Sequence, residues 1–423
     1  METPTEPNVS RGKPFADFFA LKRNLVITLI AIFIIGTGEE LWMRFVPKYL
    51  QTLGASLFVI GLYDALRTLI GAIYAYPGGL WADRWGHRRA FITFNLVSIA
   101  GYALVLLIPH WAGVIAGMFL FLSWSCFSLP ATFSLVGATV TADRYSMGIG
   151  VQMVIKRVPI MIAPVIGGIL IDHFGVVPGV RIALIISIVL SGVTFIALRE
   201  LREQPKESAE IAPPEHRSFL QSLRGFDASM RWLLFSDILV RFCERIPSAW
   251  VVIFAMDYAG ATGREVGLLT TIEVLVATLC IIPSSYFADR HRREPFVAAT
   301  FAMFTLFPVV LLFSRSFPVL MIAFFIRGLK EFGDTSRKAL IVTYSEPERR
   351  GQMIGAYYLV RDLIVSVGAI VGIYLWKRSP AANFLGAAAF GLVGTLIYLR
   401  ATRHERQKAR ENVKLDISRM RLK

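Results

Sequence analysis

A helix that crosses the hydrocarbon of a bilayer needs about 20 predominantly apolar residues, and this chain offers such runs twelve times. They lie at 24–50, 57–80, 90–108, 111–140, 151–171 and 178–198, and again at 232–256, 264–288, 295–313, 317–343, 350–376 and 381–401. The expected fold is an all-α membrane protein of twelve transmembrane helices. Of 423 residues, 55% are apolar and 18% are charged, against about 25% charged in soluble domains. A water-soluble enzyme, a disordered chain and a nucleic-acid-binding module are thereby excluded. The net charge of +15 has a membrane explanation, because the basic residues gather in short clusters between apolar runs.

Those clusters set the orientation. Loops after the second, fourth, eighth and tenth runs carry Arg84, Arg88, Arg89, Arg144, Arg290, Arg292, Arg293, Arg349 and Arg350. The opposite loops carry fewer: Lys48, Arg264, Arg315, Lys377 and Arg378. Both termini are therefore expected in the cytoplasm, in a multi-pass protein of the cell membrane. The first two dozen residues are polar, contain Pro4, Pro7 and Pro14, and lack the pattern of a cleavable signal, so the first run reads as an uncleaved anchor. The chain divides into a cytoplasmic tail (1–23), a six-helix bundle (24–198), a cytoplasmic linker of mixed charge (199–231), a second six-helix bundle (232–401) and a basic tail (402–423). That last tail either lies against anionic headgroups or serves only to set topology. Cys126, Cys243 and Cys280 sit inside apolar runs and form no disulfide or zinc spacing. The histidines lie near helix ends, loops or tails, and no phosphate-binding loop is present, so neither metal nor cofactor is expected.

The two halves repeat with an offset of 206: Gly54 matches Gly260, Gly61 matches Gly267, Pro77 matches Pro283, and Asp83-Arg84 matches Asp289-Arg290. Between the second and third helices, Gly79, Asp83, Arg84, Gly86, Arg88 and Arg89 follow the pattern G-x-x-x-D-[RK]-x-G-x-[RK]-[RK]. This loop resembles the signature of the major facilitator superfamily. A degraded second copy, Ser285 to Arg293, keeps Asp289 and Arg290 while Ser285 and Arg292 replace the glycines, and the segment from Pro347 to Gly355 is similar to the family's loop after the tenth helix. The resemblance runs from about 24 to 401. It implies two pseudo-symmetric six-helix bundles with a substrate site at the midplane between them. It also implies that Asp83 meets the N-terminus of the eleventh helix near Gly351, forming with Arg84, Arg88, Arg89, Asp289 and Arg290 a cytoplasmic latch between halves. The alternative is that the arginines serve only to orient the chain. Relative to drug/proton antiporters of that family, the fourth helix has Leu122 and no charge before Asp143. The fifth-helix glycine motif is partly kept, with Pro159 and Ala163 replacing glycines.

Ionisable groups at membrane depth are costly and point to function. The candidates for a substrate or proton cavity are Glu39, Glu40, Asp64, Arg67, Arg157, Arg241, Glu244, Arg245, Glu273, Arg327, Glu331, Asp334 and Arg361. Arg327, Glu331, Asp334 and Lys338 have the spacing of one helical face. Glu39 corresponds to Arg245, and Arg67 to Glu273, at the 206 offset with the signs reversed. The repeat thus suggests Glu39 with Arg67 and Arg245 with Glu273, or Glu39 meeting Arg245 across the midline. Three readings stay open: structural ion pairs such as Glu40–Arg44 and Lys330–Asp334, arginines binding carboxylate or phosphate, and a carboxylate that exchanges a proton when its arginine is captured. The function expected is secondary transport of a small polar or anionic solute, coupled to a proton or another ion, with the bilayer as the other partner. The alternatives are a proton-driven exporter of amphiphilic or cationic compounds, and a non-transporting sensor or assembly factor.

Overall fold

A computed structural model describes residues 23–139, 145–201, 225–290, 292–346 and 350–421, and every regular element among them is a helix. In chain order these are α1 (Arg23–Met43), α2 (Val46–Thr52), α3 (Leu57–Trp85), α4 (His87–Leu107), α5 (Trp111–Thr139), α6 (Tyr145–Phe174) and α7 (Val176–Arg199). They continue as α8 (Ala228–Arg245), α9 (Trp250–Asp257), α10 (Gly263–Arg290), α11 (Glu294–Phe313), α12 (Phe317–Leu329), α13 (Asp334–Thr343), α14 (Arg350–Arg378) and α15 (Pro380–Arg421). Nine helices among the described residues are long and apolar enough to cross a membrane. The predicted runs at 57–80, 232–256 and 317–343 contribute none of the nine.

Three predicted runs are interrupted. The first breaks between Met43 and Val46, the seventh between Arg245 and Trp250, and the tenth between Leu329 and Asp334. Pro47 and Pro247 explain two of these breaks, because proline lacks the N–H that would continue the ladder. The third break has no proline. There the Gly333 N–H donates to Thr300 Oγ1 at 2.6 Å, and a Cβ at Gly333 would fall 2.2 Å from the Phe296 carbonyl oxygen. The last helix continues to Arg421 rather than ending near 401. Residues 402–421 are rich in arginine, lysine and glutamate, all good helix formers.

The repeat is written in the backbone. Gly54 and Gly260 both adopt left-handed φ, +76° and +71°. α3 and α10 start at 57 and 263, α4 and α11 end at 107 and 313, and α5 and α12 start at 111 and 317. A Cβ at Gly167 would meet the Leu41 carbonyl oxygen at 1.7 Å, and one at Gly372 would meet that of Ile246 at 2.2 Å. Each pair seats a glycine of one helix on the carbonyl beside a helix interruption.

By packing, the chain forms two compact units: Met1–Glu40, Ile70–Ile160 and Ile182–Glu207 in one, and Leu41–Leu69, Met161–Arg181 and Ser208–Lys423 in the other. The first unit is centred on Ile35, Phe91, Phe94, Trp124, Phe127 and Leu198. Its α4 and α5 touch backbone to backbone at Gly101, and Ser98 and Ser123 hydroxyls meet at 2.9 Å across the seam. The second unit is centred on Met230, Leu233, Phe301, Tyr357 and Tyr398. In it Asn383 Nδ2 donates to the Gly372 carbonyl at 2.9 Å and the Ile246 carbonyl at 3.4 Å, satisfying an acceptor freed by the break after α8.

Candidate functional site

The second unit gathers most of the described membrane-depth charge. α8 presents Asp237, Arg241, Glu244 and Arg245 at spacings that keep them near one side of the helix. α10 brings Glu273, α12 Arg327, the interruption Lys330, α13 Asp334 and Arg337, and α14 Arg361. Together they form an alternating ladder of acids and bases. Glu273 Oε1 lies 3.2 Å from Arg327 Nε and accepts from Lys330 Nζ at 3.4 Å. Lys330 Nζ also donates to Glu244 Oε1 at 2.8 Å, and Arg241 Nη1 donates to Glu244 Oε2 at 2.8 Å. Arg241 Nη2 reaches Asp334 Oδ1 at 3.5 Å, and Arg337 donates to that same oxygen. Arg337 Nη1 donates to Asp237 Oδ2 at 2.6 Å, which also accepts from Tyr357 Oη at 3.1 Å and Arg361 Nη1 at 3.5 Å.

Burial makes this ladder consequential. Asp237 is 0% exposed and Arg337 2%, and an unpaired charge at such depth costs several kcal/mol. Each partner therefore offsets the desolvation of the next. Three guanidinium groups also lie on aromatic faces: Arg327 is 5.0 Å from the Phe307 ring centre, Arg241 5.0 Å from Phe304 and Arg361 4.5 Å from Tyr358. A cavity of about 10 Å³, room for a single water, has Glu244, Arg327 and Lys330 on its polar side and Val251, Phe304 and Phe307 on the other. Bonding capacity is left over: Glu273 Oε2, Asp237 Oδ1, Arg241 Nε and Arg337 Nε are buried without a hydrogen-bond partner. Arg241 Nε and Asp237 Oδ1 face each other at 3.7 Å, just beyond bonding distance. Beside the ladder, Asp64 of α3 accepts from Arg245 Nη1 at 3.3 Å and from Ser248 Oγ at 3.2 Å.

Of the expected site residues, Asp64, Arg241, Glu244, Arg245, Glu273, Arg327, Asp334 and Arg361 thus belong to these two groups of ion pairs. Arg245 and Glu273 take other partners than each other. Arg245 meets Asp64, and Glu273 meets Arg327 and Lys330. Lys330 joins Glu244 and Glu273, whereas Asp334 takes Arg241, Arg337 and Lys338. For Lys330 and Asp334 the reason is the break after Leu329, which also removes Arg327 and Asp334 from a common helix, so the single-face spacing of Arg327, Glu331, Asp334 and Lys338 does not carry across it. Glu331 itself is half-buried in that break, and Arg67 is exposed on α3. In the first unit, Glu39 is buried and accepts from Ser125 Oγ at 2.8 Å. Glu40 and Arg157 are half-buried there.

In the signature loop, Gly86 takes φ +86° as the residue before α4, a conformation that favours glycine. Arg84 and Arg89 are exposed and Arg88 half-buried. Arg290 lies 4.3 Å over the Tyr286 ring. The surroundings of Gly79, Asp83 and Asp289 lie outside the described residues, as do Asp143, Arg144 and Arg349 altogether. Asp237, Lys330, Arg337 and Tyr357 are central yet absent from the candidate cavity set. The first three carry a visible signal, since each is a charge inside an apolar run. Tyr357 carries none, because an aromatic residue in such a helix is ordinary.

A family described as Major Facilitator Superfamily matches residues 28–254 and 233–421. The chain is 22% identical over 398 residues to a multidrug resistance protein MdtG of Dickeya zeae (strain Ech586), covering 90% of this chain and 93% of that one. It is 23% identical over 278 residues to a multi-drug resistance efflux pump PmrA homolog of Lactococcus lactis subsp. lactis (strain IL1403), covering 64% and 66%. Among solved structures, the nucleoside transporter NupG superposes with a TM-score of 0.73 at 13% identity, covering 90% of this chain and 99% of that one.

Proposed function

Because the chain belongs to the major facilitator superfamily, a family of multi-pass membrane transporters, we propose that it moves a small polar or anionic solute by alternating access, coupled to a proton or another ion. The observation that carries this reading is the shared carboxylate of Glu273. Its Oε1 is held by both Arg327 and Lys330, its Oε2 has no hydrogen-bond partner, and both cations line the cavity. A guanidinium fork and an ammonium beside aromatic rings suit a carboxylate or phosphate group. When such a group takes Arg327 and Lys330, Glu273 loses its counter-charges in low-dielectric surroundings and takes up a proton instead. Release of the solute restores the ion pairs and expels the proton. Glu39, Glu40, Arg67, Arg157 and Glu331 are secondary members of the same pathway in this proposal. Both termini lie in the cytoplasm, with Gly79, Asp83, Arg84, Gly86, Arg88, Arg89, Asp289 and Arg290 latching that face.

The test is transport in proteoliposomes with Glu273→Gln and Arg327→Ala. A solute is first identified by thermal-shift screening of anionic and cationic metabolites at two pH values, since ligands stabilise the folded state. Glu273→Gln should abolish gradient-driven accumulation while solute exchange continues, and Arg327→Ala should abolish both. Accumulation at the normal rate in both variants would refute the coupling scheme. A second reading, export of amphiphilic compounds, is favoured by the drug-resistance names of the two relatives. It predicts that cationic amphiphiles, rather than anions, raise the melting temperature.

A further inference from the structure

The geometry points to Asp172 as a positioning residue of the transport cycle: its carboxylate clamps the N-terminus of α10 and holds one end of the molecule shut. Both carboxylate oxygens are engaged. Oδ1 accepts from the Gly263 N–H at 2.6 Å and Oδ2 from the Arg264 N–H at 2.8 Å. These are the first N–H groups of α10, which no carbonyl of the helix itself can satisfy. A negative charge at that end also meets the favourable side of the helix dipole. The residue supplying it sits 91 positions earlier, in the first half of the chain, so the cap is not a local turn.

The cap closes only because the two backbones touch. A Cβ at Gly168 would fall 2.1 Å from the Gly263 carbonyl oxygen, and one at Gly267 would fall 2.5 Å from the Pro164 carbonyl oxygen. One turn further along, the Thr271 hydroxyl donates to the Met161 carbonyl. Gly263, Gly267 and Thr271 recur every four residues, so one stripe of α10 rests directly on α6. Along this stripe the contact is backbone on backbone, with small residues in place of bulky side chains. Two polar contacts fasten this seam: the Asp172 cap at its end and the Thr271 bond below. A further polar contact ties the ends of α2 and α9, where Asp257 accepts from Lys48 Nζ and from Gln51 Nε2, the latter at 3.0 Å. No group of the ion-pair ladder takes part, so the clamp biases the conformational equilibrium without touching a solute held at Arg327 and Lys330.

This inference rests on the transport reading for its purpose, but its test does not. Spin labels at Phe174 and Arg315, both exposed and outside the clamp, report the separation of this end in the full-length protein in nanodiscs, with its three cysteines replaced by serine. Unmodified at position 172, the protein should give mainly one short distance. Asp172→Ala should raise the ratio of open to closed molecules by roughly twofold to thirtyfold, the range that loss of a capping side chain produces. Asp172→Asn, which keeps the shape and loses the charge, should fall between, and Asp172→Glu should recover most of the closed form. A distance distribution unchanged in Asp172→Ala, whether or not its melting temperature falls, overturns the proposal. Opening without any solute moved leaves the clamp standing and removes the transport reading. Transport with an unaltered clamp removes the clamp alone.

Discussion

Asp237 shows what the charged ladder demands of a single side chain. It is fully buried and touched by Arg337, Arg361 and the Tyr357 hydroxyl. Asp237→Ala would leave those guanidinium groups without their shared anion, and breaking a buried pair this way costs about 3–5 kcal/mol. Chemical unfolding in detergent should show a loss of that order, with Asp237→Asn losing less because an acceptor remains. Arg23→Ala is the matching control. Its partner is Glu200, both side chains are more than half exposed, and the change should stay within about 1 kcal/mol. The presence of these charges is legible from the residues alone, since each stands out in an apolar run. Their partners are not. Asp64 reaches Arg245 from a helix distant in the chain, and Lys330 turns to Glu244 and Glu273 only because the backbone breaks beside it.

The interrupted helices are where hydropathy stops being informative. An apolar run reads the same whether its backbone is continuous or broken, so the first, seventh and tenth runs look uniform. Pro247 is a visible cause of one break. The turn at Lys330–Gly333 is set instead by Thr300 and Phe296 of α11, neither of which is local in sequence. Close backbone contact is the recurring device, and it makes a sharp prediction. Gly372→Val places branched carbons where the Ile246 carbonyl already stands 2.2 Å from an ideal Cβ. Overpacking of this sort costs about 1–3 kcal/mol, so the melting temperature should fall. Gly192→Ala, with open space around its Cβ, should leave it nearly unchanged. Equal melting of the two variants would contradict the packing described at α14.

The layout of the chain as a whole was the most legible property, because the energetic cost of an exposed backbone in lipid leaves helices of fixed length as the answer. The sidedness of that layout is open to direct measurement. Single cysteines at Thr52 and Arg89, both exposed, should react with a membrane-impermeant maleimide from opposite faces of the membrane, Arg89 from the cytoplasmic one. Labelling of both from the same face would refute the orientation drawn from the basic clusters. Gln51 and Asp257 carry a further consequence of the repeat. They are 206 residues apart, the spacing of the repeat, and they hydrogen-bond to each other. A position that touches its own duplicate cannot hold a carboxylate in both copies without setting two anions face to face. Wherever duplicated segments meet themselves in this way, identity between the copies is electrostatically penalised, and the neutral amide opposite the acid is the form that divergence has to take.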